Sequence, residues 1–129
     1  MAQYGKASYW DERYTKVPEP FDWYQRYSGV KDLIQQYVKR TDHILMLGCG
    51  NSRLSEDMYD DGFTTVANID ISKVVIDQMV EKYRDKTGLS CKSTSFCHTH
   101  THTHTSTPLM TLHSWHVTDA SLPLHVCTL

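Results

Sequence analysis

Apolar residues recur through the first ninety positions in two alternating rhythms. Val30, Leu33, Ile34, Tyr37 and Val38 fall three and four apart, which predicts an amphipathic helix with Ser28 as its N-cap and Lys39-Arg40 at its C-terminal end. Ile44 to Leu47 is a continuous apolar run, too short for a helix and suited to a parallel strand buried on both faces. After Gly48-Cys49-Gly50, Ser52 is placed to cap a helix of two to three turns that contains Glu56 and Asp57 and ends at Gly62. Thr64 to Ile69 reads as a second strand. Ser72 then caps a helix striped by Val75, Ile76, Met79, Val80 and Tyr83, with Lys82, Arg84 and Lys86 at its negative end. Upstream, Trp10, Arg13 and Tyr14 share one face of a short helix, and Pro18 and Pro20 mark an extended link. The order helix, strand, helix, strand, helix is that of an α/β chain opening a doubly wound, Rossmann-like parallel sheet.

Charge distribution changes this picture after about residue 88. All thirteen Lys and Arg lie at or before Lys92, and Asp119 is the single charged residue from Ser93 onward, where seven of the eight histidines fall. Cys97-His98-Thr99-His100-Thr101-His102-Thr103-His104-Thr105 is a dipeptide repeat with no helical or strand period. Three segments are therefore expected: an aromatic lid over 1–27, a partial α/β domain over 28–88, and a His/Thr-rich, irregular or disordered tail over 89–129. With net charge −2, neither nucleic acid nor an anionic membrane is suggested as a partner. The N-terminus has no signal-peptide pattern, so a cytoplasmic location is expected, with Cys49, Cys91, Cys97 and Cys127 reduced.

The candidate chemistry lies at the glycine turn. Gly48 and Gly50 follow the first strand, and Asp70 follows the second, twenty positions after Gly50. Bare backbone allows close approach of a nucleoside, and a carboxylate after the next strand takes ribose hydroxyls. A dinucleotide of an oxidoreductase needs a third glycine beside its pyrophosphate, where this chain has Arg53. S-adenosyl-L-methionine carries no phosphate and is favoured for that reason. The plainer alternative is a tight strand-to-helix turn with Asp70 capping the next helix; the spacing and both flanking strands weigh against it. Cys49 reads as a packing residue rather than a nucleophile.

Tyr9-Trp10-Asp11-Glu12-Arg13-Tyr14, Phe21-Asp22-Trp23-Tyr24, Leu47-Gly48-Cys49-Gly50-Asn51-Ser52 and Asn68-Ile69-Asp70-Ile71-Ser72 carry a family resemblance. Over about residues 8–87 the chain resembles the class I (seven-stranded) methyltransferases, and within them a plant-like form of the enzymes that modify lysines of elongation factor 1A. The resemblance implies the N-terminal half of a methyltransferase sheet, S-adenosyl-L-methionine as cofactor and a protein substrate, elongation factor 1A, for the full-length relative. It implies that Gly48 lies against the methionine part and that Asp70 and Ile71 hold the adenosine. It also implies that Trp10, Tyr14 and Trp23 fold over the site; aromatic faces suit a sulfonium and an adenine ring, and ordinary core or lid packing is the equal alternative for each of them. Asp11 and Arg13 are expected to hold this lid by ion pairing. No catalytic residue is assigned.

Relative to that family, a third strand bringing an acid to the adenine and a fourth lining the transfer site are not legible in the sequence. The chain is therefore expected to be truncated, inactive alone and weak in cofactor binding, with Ile44–Leu47 left as an exposed apolar edge. A His-Thr alternation is what a CA dinucleotide repeat encodes, so residues from about Leu89 are read as intronic or frame-shifted sequence; comparison of transcript with genome tests this. The rival reading is metal binding by His98, His100, His102 and His104, expected to be weak and adventitious because no second shell is visible.

Overall fold

The computed structural model describes residues 3–94 and 124–128. The helix α1 (Ala7–Lys16) is followed by an extended strap and by α2 (Tyr27–Tyr37). Then come β1 (His43–Leu47), α3 (Leu54–Asp60), β2 (Val66–Asp70), α4 (Lys73–Lys82), β3 (Leu89–Ser93) and β4 (Leu124–Thr128). The four strands form one parallel sheet in the order β3-β2-β1-β4. Ile44 is paired with Val66 and Leu47 with Ile69, which brings the carboxyl ends of β1 and β2 side by side.

Each predicted element is present. Some of their details differ. The N-cap position of α3 is Arg53, without a side-chain bond, where Ser52 was expected. Ser28 lies inside α2, whose N-cap is Arg26 without a side-chain bond, and the helix ends at Tyr37 before Lys39-Arg40. The α2 stripe is also narrower than its spacing suggested: Val30, Ile34 and Val38 pack on the core, whereas Leu33 and Tyr37 face solvent. In α4, Ser72 caps as expected by accepting from the Val75 N–H, and Val75, Ile76, Met79 and Tyr83 are buried while Val80 is exposed.

Two expectations about the sheet are corrected. The third strand is present: Leu89–Ser93 pairs in parallel with β2, so the strand grammar runs past Gly88. Its sequence, Leu-Ser-Cys-Lys-Ser, buries only Leu89, and an edge strand so polar carries no apolar signature. The far edge of β1 is not bare either, because β4 pairs with it from His43 to Leu47. The His-Thr repeat lies outside the described residues, as do Cys97 and Asp119. No three His, Cys, Asp or Glu among the described residues form a metal-binding group. No described helix is long and apolar enough to cross a membrane.

The core is built from Ile44 and Met46 of β1, Met58 of α3, Phe63, Val66 of β2, and Val75, Ile76 and Met79 of α4. The end of α3 shows how sequence fixes local shape. Gly62, at φ +101°, lets its N–H reach the Tyr59 carbonyl while the Phe63 N–H reaches Met58. That is a Schellman closure, and the two residues it brings together, Met58 and Phe63, are both fully buried. At the same corner Asp61 accepts hydrogen bonds from Tyr27 Oη (2.7 Å), Lys31 Nζ (2.7 Å), Gln35 Nε2 (2.6 Å) and Arg40 Nη2 (3.2 Å). A carboxylate at the negative end of a helix is unfavourable unless cations answer it, and here they tie α2 to α3.

Candidate functional site: a cleft between the glycine turn and an aromatic lid

Gly48 and Gly50 follow β1 with φ of +64° and +48°, the left-handed region that side chains resist. They serve different ends. A Cβ on Gly48 would meet nothing within 4 Å, so its bare face looks into open space. A Cβ on Gly50 would stand 2.6 Å from Tyr14 Oη, so this glycine makes room for the lid. The Gly50 N–H donates to Asp70 Oδ2 at 2.9 Å, and Asp70 Oδ1 accepts from the Ser72 N–H at 2.9 Å. The buried carboxylate therefore lies against the glycine turn and is aimed by two backbone donors. An ionised carboxylate offers about four lone-pair sites, which leaves roughly two for a ligand.

Two cavities meet at this turn. The smaller, about 320 Å³, is bounded by Gly48, Asp70, Ile71, Trp10, Tyr14 and Trp23, with Leu47, Ile69 and Thr94 completing its wall. Six of the seven expected site residues thus surround one space. The seventh, Gly50, borders the larger cavity and reaches the smaller through its bond to Asp70. The larger, about 480 Å³, runs beneath the strap and shares Trp10, Tyr14, Trp23 and Gly48 with the first.

The lid is an aromatic ladder. Trp10 stacks on Tyr14 (5.9 Å between centroids, 24°) and meets Trp23 edge-on (6.5 Å), and Trp23 in turn meets Phe21 (5.5 Å). Burial, with the nearby charge of Asp70 second, pushes the Tyr14 hydroxyl up to about 12, so it stays a neutral donor at physiological pH. The Cys49 thiol is pushed up by burial first and by Asp70 second. A thiol so disfavoured as thiolate is no nucleophile, in agreement with its reading as a packing residue.

The lid is not held by ion pairs, contrary to expectation. Asp11 accepts from Ser72 Oγ (2.6 Å) and from the Val74 N–H (3.2 Å), fastening α1 to the start of α4. The Arg13 guanidinium sits 5.9 Å over the Phe21 ring and meets no carboxylate within 4.0 Å among the described residues.

Asn51 and Thr94 were not legible as site residues, and Ser52 was legible only as a helix cap. Asn51 Nδ2 donates to the Glu19 carbonyl at 2.7 Å, and its Oδ1 accepts from the Phe21 N–H at 3.2 Å. Ser52 Oγ donates to Asp22 and accepts from the Leu54 N–H, joining strap and helix start. These bonds span about thirty residues of sequence, so no local pattern announces them. Thr94 lines the smaller cavity just after β3, its N–H donating to the Asp70 carbonyl at 2.9 Å.

Part of the chain is similar to known proteins. The "eEF1A lysine and N-terminal methyltransferase homolog" of Drosophila melanogaster is 48% identical over 80 residues, 61% of this chain and 12% of that protein. The human "eEF1A lysine and N-terminal methyltransferase" is 40% identical over 80 residues, and "EEF1A lysine methyltransferase 4" of Bos taurus is 38% identical over 82. This chain is homologous to the eEF1A lysine methyltransferases. The homologous segment spans about 12% of the fly relative's length and 32% of the bovine one's. No protein-family model matches the sequence. Among solved structures, a SAM-dependent methyltransferase from Anabaena variabilis superposes with a TM-score of 0.51 at 19% identity, over 69% of this chain and 39% of that one. The methyltransferase homologue thus carries the N-terminal half of a methyltransferase fold.

Proposed function

We propose that this chain binds S-adenosyl-L-methionine in the paired cavities and presents it for methyl transfer to a protein amine, a lysine side chain. The observation that carries the reading is the smaller cavity. Its volume suits a nucleoside, its one carboxylate faces it from the end of β2, and its glycine presents bare backbone. Asp70 and Ile71 would hold the adenosine, Gly48 would lie against the methionine part, and Trp10, Tyr14 and Trp23 would close over both. When bound, the cofactor supplies a methyl group on a sulfonium. The chain's own residues orient it and exclude water: ring faces favour the cation, and a dry site strengthens every fixed dipole. An elongation factor 1A acceptor rests on the similarity to the eEF1A lysine methyltransferases of fly and cattle.

A pyrophosphate-bearing dinucleotide fits less well. The first turn of α3 carries Glu56 and Asp57 where phosphates would approach, and Arg53 is committed to pairing with both. Calorimetric titration separates the two readings. S-adenosylhomocysteine is expected to bind with one-to-one stoichiometry and NAD not to bind; the reverse result overturns the proposal.

A further inference from the structure

Two carboxylates from different parts of the chain converge on the first turn of α4. Asp70, at the end of β2, accepts from the Ser72 N–H at 2.9 Å. Asp11, sixty-one residues before Ser72 in the middle of α1, accepts from Ser72 Oγ at 2.6 Å and from the Val74 N–H at 3.2 Å. Ser72 is fully buried, and its hydroxyl also accepts from the Val75 N–H at 3.3 Å. A helix start leaves backbone N–H groups without partners inside the helix and favours negative charge. Ser72 answers one of those groups from α4's own sequence, and Asp11 answers another from the lid.

The contact matters more to α1 than to α4, because α4 already has its own cap. The helix α1 is ten residues long, its N-cap Lys6 makes no side-chain bond, and Tyr14 is its one buried residue. A helix of that length is marginal in water unless other elements hold it. A second tie to α4, from Gln78 Nε2 to the Tyr14 carbonyl at 3.4 Å, is long and correspondingly weak. Trp10 directly precedes Asp11 and Tyr14 follows three positions later; their rings stack and line both cavities. Asp11 itself lines neither. Both bonds to Asp11 end on one oxygen, Oδ1, so the contact needs a carbonyl-type acceptor at that point.

We infer that Asp11 is the latch of the aromatic lid. It is a positioning residue: through Ser72 Oγ and the Val74 N–H it holds α1 where the Trp10 and Tyr14 rings wall the ligand cleft. Because the Ser72 N–H also aims Asp70, the lid and the carboxylate beneath it are registered on one residue. The step from lid to ligand rests on the methyl-donor reading; the step from Asp11 to lid does not.

The full chain and its Asp11→Ala and Asp11→Asn variants are compared in two measurements: hydrogen exchange resolved by peptide, and the dissociation rate of S-adenosylhomocysteine. Asp11→Ala is expected to raise exchange across Ala7–Lys16 roughly ten-fold while β1 and β2 keep theirs, as the loss of two hydrogen bonds implies. Dissociation of S-adenosylhomocysteine quickens by a similar factor. Asp11→Asn retains the Oδ1 acceptor, and both quantities stay within about two-fold of wild type. Unchanged exchange in Asp11→Ala overturns the latch. Equally faster exchange in β1 and β2 also overturns it, because Asp11 then supports the whole fold rather than the lid. A loosened α1 with unchanged dissociation shows that the lid is not positioned by Asp11, and an Asp11→Asn variant as impaired as Asp11→Ala shows that the bonded oxygen is not what holds the helix; either result overturns the inference. If the wild-type chain binds no S-adenosylhomocysteine, the methyl-donor reading fails and the exchange comparison decides the latch alone.

Discussion

Gly48 and Gly50 look interchangeable in the sequence, yet their neighbours separate their roles. At either position a side chain costs about 1–2 kcal/mol of backbone strain in the left-handed region. Gly50→Ala adds a collision with Tyr14 Oη, whereas Gly48→Ala adds none and instead fills space that a ligand needs. Thermal unfolding should therefore show the larger loss for Gly50→Ala, and calorimetry should show S-adenosylhomocysteine binding abolished in Gly48→Ala with the fold retained. Equal behaviour of the two variants contradicts this division. Asp70→Asn is expected to destabilise by about 1–3 kcal/mol, because an amide offers one acceptor oxygen to two backbone donors. Denaturant unfolding measures that loss. These residues were legible from their spacing. Their division of labour was not, since it depends on where Tyr14 arrives from α1.

At the scale of elements, two ties hold the site together. The strap depends on Asn51, and Asn51→Ala removes its bonds to the Glu19 carbonyl and the Phe21 N–H, at about 1 kcal/mol each. Trp23 should then become more accessible to a soluble fluorescence quencher; unchanged quenching would mean that the strap is held by its aromatic contacts alone. The second tie is pH-dependent. Hydrogen bonds from Lys31 and then Tyr27 hold the Asp61 carboxyl down at about 2, against about 3.9 for an unfolded aspartate. The stability it contributes is present above about pH 4 and is lost as pH falls through about 2. Melting temperatures of wild type and Asp61→Asn should converge on acidification from pH 5 to pH 2. A constant gap would show that the carboxylate's charge is not what joins α2 to α3. Both ties link residues about thirty apart, which is why periodicity revealed the helices and not their fastenings. The α2 stripe illustrates the same limit: Leu33 and Tyr37 carry the right spacing, but neighbouring helices cover only the side bearing Val30 and Ile34.

For the whole molecule, the strand order β3-β2-β1-β4 places the carboxyl ends of β1 and β2 beneath one lid, where open parallel sheets bind ligands. The βαβ succession was readable because buried parallel strands and striped helices write different periods. The polar edge strand β3 was not, since it carries no apolar pattern, and neither was the pairing of β4 with β1, which joins segments about eighty residues apart. The proposed function requires a nucleoside seated between Gly48 and Asp70. The direct test is a crystal structure of the full chain with S-adenosylhomocysteine. The ribose hydroxyls are predicted within hydrogen-bonding distance of the Asp70 carboxylate, with the sulfur end over Gly48 and the Trp10 and Trp23 rings closed above. A ligand seated away from the glycine turn, or one that leaves Asp70 bonded only to Gly50 and Ser72, would contradict it.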